Sequence, residues 1–287
     1  MENLTDLNTI KALLARHGFR FSKTLGQNFL CADWVPERIA DAAALDGDTG
    51  VLEVGPGIGC LTVQLAKRAK KVVCVELDRA LQPVLAETLA GFDNVEVLFA
   101  DVMKTDLAAL AAVHFSDCAR AVVCANLPYQ ITTPALTAFA NAGRFSRVTV
   151  MIQREVARRI CAAENTADYG AFSLLMQWHF DPSLCFDVPP GCFIPAPKVT
   201  SSVVTMPRRE APPVAVGDEK RMFAVIRAAF NQRRKTLCNA LSAGLGLPKE
   251  TVAAAISAAG LPESIRGEAL SMAQFAVLSD ALAEIKN

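Results

Sequence analysis

From residue 51 to residue 153 the chain alternates short, nearly unbroken apolar runs with helical stretches, and this alternation narrows the possible folds more than any other feature. The runs are Val51–Val54, Val72–Glu76, Val95–Phe99, Ala121–Ala125 and Val148–Gln153. A strand with one wet face would alternate polar and apolar residues; near-continuous apolar runs mean that both faces are covered. Helices are predicted between most of the runs, as at Cys60–Ala69 and Arg79–Leu89. Strands and helices in this order give a Rossmann-like α/β fold, with a mostly parallel sheet between two helical layers. Later, Leu184–Val188 and Thr200–Met206 read as two strands joined by a loop rich in proline and glycine, an antiparallel hairpin for the far end of the sheet.

The flanks differ. Thr5 as N-cap, apolar Leu7, Ile10 and Leu14, and Gly18 as terminator predict an opening helix, and a second is predicted over Asp33–Leu45. Phe19 to Cys31, between them, is polar with aromatic residues and has no clear period. Pro207 to Val214 reads as a linker, and beyond it the strand signal stops. Helices are predicted there over Asp218–Phe230, Arg233–Ala243, Lys249–Ala259 and Ala273–Ile285, the last opened by a Ser271/Gln274 capping box. The expected domains are 1–206, including a helical N-terminal segment 1–48, and an all-helical 207–287. Two domains suit 287 residues, at roughly 100–200 residues each.

Composition removes several functional classes. No apolar stretch approaches the ~18 residues needed to span a bilayer, and Met1 to Gly18 lacks the basic-then-apolar order of a secretory signal. A cytoplasmic protein with no membrane partner is expected. The nine cysteines are scattered without a CxxC pair, and with three histidines they offer no zinc pattern, so they read as core residues and no metal is expected. With 29 basic and 29 acidic residues the net charge is zero, which weighs against nucleic acid unless local basic patches carry the contact.

The sharpest local signal is Glu53-Val54-Gly55-Pro56-Gly57-Ile58-Gly59, between the first apolar run and a helix. Glycines at that place let a ligand approach the backbone at the carboxyl edge of the sheet. A pyrophosphate site needs amides and a helix N-terminus with no anion beside them, and dinucleotide folds show GxGxxG there. Here Gly55, Gly57 and Gly59 are spaced GxGxG, and Glu53 stands two residues before them. An acid so placed suits a ligand with a cationic amino group and a sulfonium, which is S-adenosylmethionine. Glu76 closes the second run, where a carboxylate can accept both ribose hydroxyls. Asp101 follows the third run, positioned for an adenine amino group, although taken alone it reads equally as a helix N-cap.

The fourth run ends in Asn126-Leu127-Pro128-Tyr129. The amino nitrogen of adenine is a poor nucleophile because its lone pair is delocalised into the ring. The Asn126 side-chain oxygen and the Leu127 carbonyl, accepting from its two hydrogens, would favour a pyramidal nitrogen. Pro128 would hold the turn, and Tyr129 would offer a face to a flipped-out base. Alone, such a tetrapeptide is also a plausible turn; after the glycine loop and the acids, in that order, it points to amino-group methylation.

On these residues the chain resembles the ribosomal RNA adenine N6-dimethyltransferase family over nearly its whole length, the bacterial small-subunit branch most. The matching stretches are Leu25-Gly26-Gln27-Asn28-Phe29-Leu30, Glu53 to Gly59, Asn126 to Tyr129, Phe193 to Val199 and Asn231-Gln232-Arg233-Arg234-Lys235. The resemblance implies that Asn28 and Leu30 contact the cofactor from the N-terminal segment, beside Gly55, Glu76, Asp101 and Asn126. It further implies that Phe193, otherwise read as a buried aromatic, stacks on the target adenine opposite Tyr129. The partner it implies is small-subunit rRNA or a partly assembled small subunit, two adjacent adenosines near the RNA 3′ end being modified. Basic helical faces for RNA phosphates are expected at Arg227, Arg233, Arg234 and Lys235, and at Arg154, Arg158 and Arg159; a solvated helix face is the plain alternative for each. Three rival readings stand beside this one. The large-subunit enzymes that confer macrolide resistance are similar, but tend to be strongly basic and often carry Ile where this chain has Leu127. A non-catalytic assembly or transcription factor would not need Gly55, Glu76, Asp101 and Asn126 together. A small-molecule methyltransferase would lack the helical tail and its basic run.

Overall fold

The computed structural model describes residues 3–22 and 26–285. Leu25, the first residue of the Leu25–Leu30 motif, lies outside the described residues. The apolar runs all become strands: β2 (Thr49–Val54), β3 (Lys71–Glu76), β4 (Val95–Phe99), β5 (Arg120–Asn126) and β6 (Phe145–Gln153), after a two-residue β1 (Phe29–Leu30). The hairpin strands are β7 (Ser183–Val188) and β9 (Ser201–Pro207), with a two-residue β8 (Phe193–Ile194) between them. Seven strands form one sheet in the order β4-β3-β2-β5-β6-β9-β7. β4, β3, β2, β5 and β6 pair in parallel, while β9 runs antiparallel to both β6 and β7. All six residues of β2 are buried, as a strand covered on both faces requires.

The helices α1 (Leu7–Arg16), α2 (Trp34–Ala42), α3 (Cys60–Ala66), α4 (Gln82–Thr88), α5 (Leu107–His114), α6 (Thr132–Ala142) and α7 (Arg154–Ile160) occur among these strands. Asp6, not Thr5, caps α1, accepting from the Asn8 and Thr9 amides. Thr5 instead hydrogen-bonds Asn3 and Asp33, tying the start of α1 to the start of α2. The remaining helices are α8 (Ala171–His179), α9 (Glu219–Asn231), α10 (Leu237–Leu245), α11 (Lys249–Ala258) and α12 (Met272–Glu284), the last opened by the expected Ser271/Gln274 capping box. Among the described residues no helix is long and apolar enough to cross a membrane.

The chain divides into two compact units, one of Met1–Ala157 with Phe180–Arg208 and one of Arg158–His179 with Arg209–Asn287. The expected division at 206 therefore places 158–179 on the wrong side. That segment buries Tyr169, Leu174 and Trp178 in one core with Phe223, Ile226 and Phe275, and the Tyr169 hydroxyl donates to the Leu270 carbonyl. Its apolar residues belong with the helical unit although the segment is flanked in sequence by sheet strands.

Candidate active site

The strand order reverses at β2, which pairs with β3 on one side and β5 on the other. At such a switch point the loops leaving the two strands turn apart, and a crevice opens at their carboxyl ends. The turn after β2 is made by Gly55 at φ 69° and Gly57 at φ 61°, left-handed backbone in which a side chain is strained. A Cβ on Gly57 would stand 3.1 Å from the Phe29 ring, so the loop and β1 approach as closely as they do because that Cβ is missing. Gly59, also expected to hold the ligand, does not line the crevice. At φ 91° it is the N-cap of α3, and a Cβ there would meet Leu89 and Thr88.

The three strand-end acids share that crevice. Glu53 is 1% exposed, and its burial pushes the carboxyl pKa up to about 7, against the opposing pull of the Cys74 thiol 3.4 Å away. Burial also raises the pKa of Glu76, whose Oε1 accepts from the Asp78 amide at 2.8 Å. Among the described residues neither makes an ion pair with a basic side chain. Two buried carboxyls without a cation form a site that favours a positively charged, hydrogen-bond-donating guest. Asp101 lines the crevice and also caps a short 3-10 turn, accepting from the Met103 amide at 2.9 Å, as its reading as an N-cap expected.

Across from the acids, β5 delivers Asn126-Leu127-Pro128-Tyr129. The Asn126 amide nitrogen faces the Asn28 carbonyl at 3.5 Å, which turns the amide oxygen the other way. The Leu127 amide donates to the Met151 carbonyl at 3.1 Å, extending the β5–β6 pairing into the turn. Tyr129 opens a single 3-10 turn, its hydroxyl 2.7 Å from Ser201 Oγ. The aperiodic N-terminal segment closes the other side: β1 pairs antiparallel with β8, Leu30 opposite Phe193 and Phe29 opposite Ile194. Asn28, Leu30, Glu53, Gly55, Gly57, Glu76, Asp101, Asn126, Leu127, Pro128, Tyr129 and Phe193 thus line one cavity of ≈ 230 Å³.

A model of the family described as ribosomal RNA adenine dimethylase matches residues 18–284. The chain belongs to the ribosomal RNA adenine dimethylase family. Proteins named ribosomal RNA small subunit methyltransferase A are among the relatives. That of Geobacillus thermodenitrificans is 46% identical over 276 residues, covering 95% of this chain and 94% of its own. That of Streptococcus pneumoniae is 46% identical over 283 residues, covering 97% and 98%. The crystal structure of the 23S rRNA methyltransferase ErmE matches with a TM-score of 0.67 at 29% identity, covering 89% of this chain and 99% of that one. A dimethyladenosine transferase from Plasmodium falciparum, at 23% identity and a TM-score of 0.76, shares the Rossmann-like fold over 90% of this chain and 98% of its own.

This adenine dimethylase also has cavity residues to which the sequence assigned no role. Leu77 and Val102 each follow a strand-end acid, so the same carboxyl-edge rule could have found them. Gln27 sits beside Asn28, where its Nε2 donates to Asp78 at 2.7 Å and its Oε1 accepts from the Ser22 amide at 2.9 Å. Gly26, seen in the sequence only as part of the Leu25–Leu30 stretch, lines the cavity as well, as does Gln130, which carried no signal.

None of the expected RNA-contacting basic residues is among those that line the cavity. Arg227 is exposed on α9, but Arg233, Arg234 and Lys235 occupy a turn between α9 and α10, so the expected helix over Arg233–Ala243 starts only at Leu237. Arg233 is committed to structure: it donates to the Ala167 and Tyr169 carbonyls and pairs with Glu268 at 3.7 Å. Arg234 and Lys235 are exposed. α7 carries exposed Arg154, paired with Asp187 at 3.7 Å, exposed Arg158 and half-buried Arg159.

Proposed function

We propose that this enzyme transfers methyl groups from S-adenosylmethionine to N6 of two adjacent adenosines near the 3′ end of small-subunit rRNA, giving N6,N6-dimethyladenosine during assembly of the small subunit in the cytoplasm. The observation that carries the reading is one cavity joining two unpaired buried carboxyls to the Asn126–Tyr129 turn. The curated relatives named for the small subunit support that choice of RNA.

The donor fits the residues present. Among the described residues Glu53 and Glu76 have no basic side chain paired with them, and Gly55 and Gly57 keep the loop backbone bare. Glu76 would accept from the ribose hydroxyls, Asp101 from the adenine amino group, and Asn28 and Leu30 would close over the donor from β1. When bound, S-adenosylmethionine supplies a methyl group on a cationic sulfur. Asn126 and the Leu127 carbonyl would each accept one hydrogen from the target N6, drawing its lone pair out of the ring. The Asn28 carbonyl holds the Asn126 amide in the flip this requires, and Pro128 stiffens the turn. Tyr129 and Phe193 would sandwich the flipped base, so the rate comes from positioning and electrostatics. A methylated exocyclic nitrogen is strongly acidic and sheds its proton unaided, so no side-chain base is needed. Arg154, Arg158, Arg227, Arg234 and Lys235 would meet RNA phosphates.

Incubation with labelled methyl donor and a mixture of under-methylated small and large subunits, followed by mapping of the modified nucleotide, tests the reading. Label on two neighbouring adenosines of small-subunit RNA is expected. Label confined to large-subunit RNA, or particle binding without transfer, would replace it with one of the rival readings.

A further inference from the structure

We propose that Ser201 is a positioning residue for methyl transfer, fixing the Tyr129 ring to the same stretch of chain that carries Phe193. The inference rests on the stacking role given to Tyr129 and Phe193 above. The Tyr129 hydroxyl and Ser201 Oγ lie 2.7 Å apart, and Ser201 is fully buried. Ser201 stands opposite Gln153 of β6 on one side and Val188 of β7 on the other, so its backbone is held from both sides. Tyr129 has no such frame: it belongs to one 3-10 turn, Tyr129–Ile131. A partly buried phenol on the wall of a cavity would otherwise bond water and let its ring swing. The bond to Ser201 occupies the polar tip, so the surface that the ring can offer a base is its face. Strand alternation turns the neighbouring Ser202 to the opposite side, where it donates to Asp187 at 2.5 Å. Residues 193–201 therefore reference both walls of the base slot, Phe193 directly and Tyr129 through Ser201.

The test compares Ser201→Ala, Ser201→Thr, Tyr129→Phe and the Ser201→Ala/Tyr129→Phe double variant. It measures methyl transfer to under-methylated small subunits, donor affinity by calorimetry, and fluorescence of a small-subunit RNA fragment carrying 2-aminopurine at the target position. Each of Ser201→Ala and Tyr129→Phe should lower kcat about five- to tenfold, the loss of one hydrogen bond. Donor Kd should stay within about twofold, since the bond lies outside the donor's set of contacts, and 2-aminopurine quenching should weaken. The double variant should be no slower than either single, because both remove the same bond. Ser201→Thr, which keeps a hydroxyl, should recover most of the rate. Additive losses, or an unchanged kcat in both single variants, overturn the proposal. If Ser201→Ala does not fold, Tyr129→Phe at full kcat overturns it by itself. Tyr129→Ala separates the two layers: inactive beside a fully active Ser201→Ala, it leaves the stacking role standing without Ser201; fully active, it removes the stacking role as well.

Discussion

At the scale of single residues the cavity turns on Glu53 and Asn126. Between the ordinary glutamate value of 4.5 and about 7, Glu53 keeps a proton in the folded protein that the unfolded chain has already released. The folded state then binds more protons, so stability falls as pH rises through that window and levels off above it. For a shift of this size the loss is ~3 kcal/mol. Urea unfolding of the ligand-free protein at pH 5 and pH 8 should show that loss relative to Glu53→Gln, and equal slopes in the two proteins would refute it. Asn126→Ala should abolish methyl transfer and leave donor affinity by calorimetry within a few-fold; undiminished turnover would remove Asn126 from the target site. Strand-end acids and the Asn126–Tyr129 turn could be read from the sequence because apolar runs locate strand ends. Gly59 could not be separated from Gly55 and Gly57 by spacing: its reason to be glycine is the packing of Leu89 and Thr88, from a different helical turn of the chain.

At the scale of elements, the seven strands of the main sheet were legible because each is a run several residues long in which apolar residues predominate. β1 and β8 were not, since two residues carry no period, and their pairing joins segments distant in sequence. The turn at Arg233–Lys235 escaped for a related reason: basic residues are good helix formers, and neither glycine nor proline marks the break. The break has functional weight, because it splits three adjacent basic residues into one structural tie and two exposed charges. Arg234→Ala with Lys235→Ala should lower the salt dependence of RNA binding by about two released ions and leave the thermal midpoint nearly unchanged. Arg233→Ala should instead lower the midpoint, since the Ala167 and Tyr169 carbonyls and Glu268 lose their partner. The reverse pattern in melting and filter-binding measurements would reassign these roles.

At the scale of the whole molecule, nothing local in 158–179 marks it as part of the helical unit, because its core partners, Phe223, Ile226 and Phe275, lie far along the chain. The chain leaves the sheet unit after Ala157, returns at Phe180 and leaves again after Arg208. Cutting it after Arg208 strands Tyr169, Leu174 and Trp178 without their core, and such a protein should bind hydrophobic dyes and aggregate. Replacing 158–179 by a glycine–serine linker in the shortened chain should restore solubility and keep donor binding, with transfer to RNA impaired. Equal solubility of both shortened forms would show that the segment does not depend on the helical unit. The β1–β8 pairing bears on synthesis too. Phe29 and Leu30 emerge early from the ribosome, yet the strand they pair with is translated only after every parallel strand is complete. A nascent chain therefore has no finished pocket in which a metabolite could stabilise it, and small-molecule rescue of folding begins only once Phe193 has left the exit tunnel.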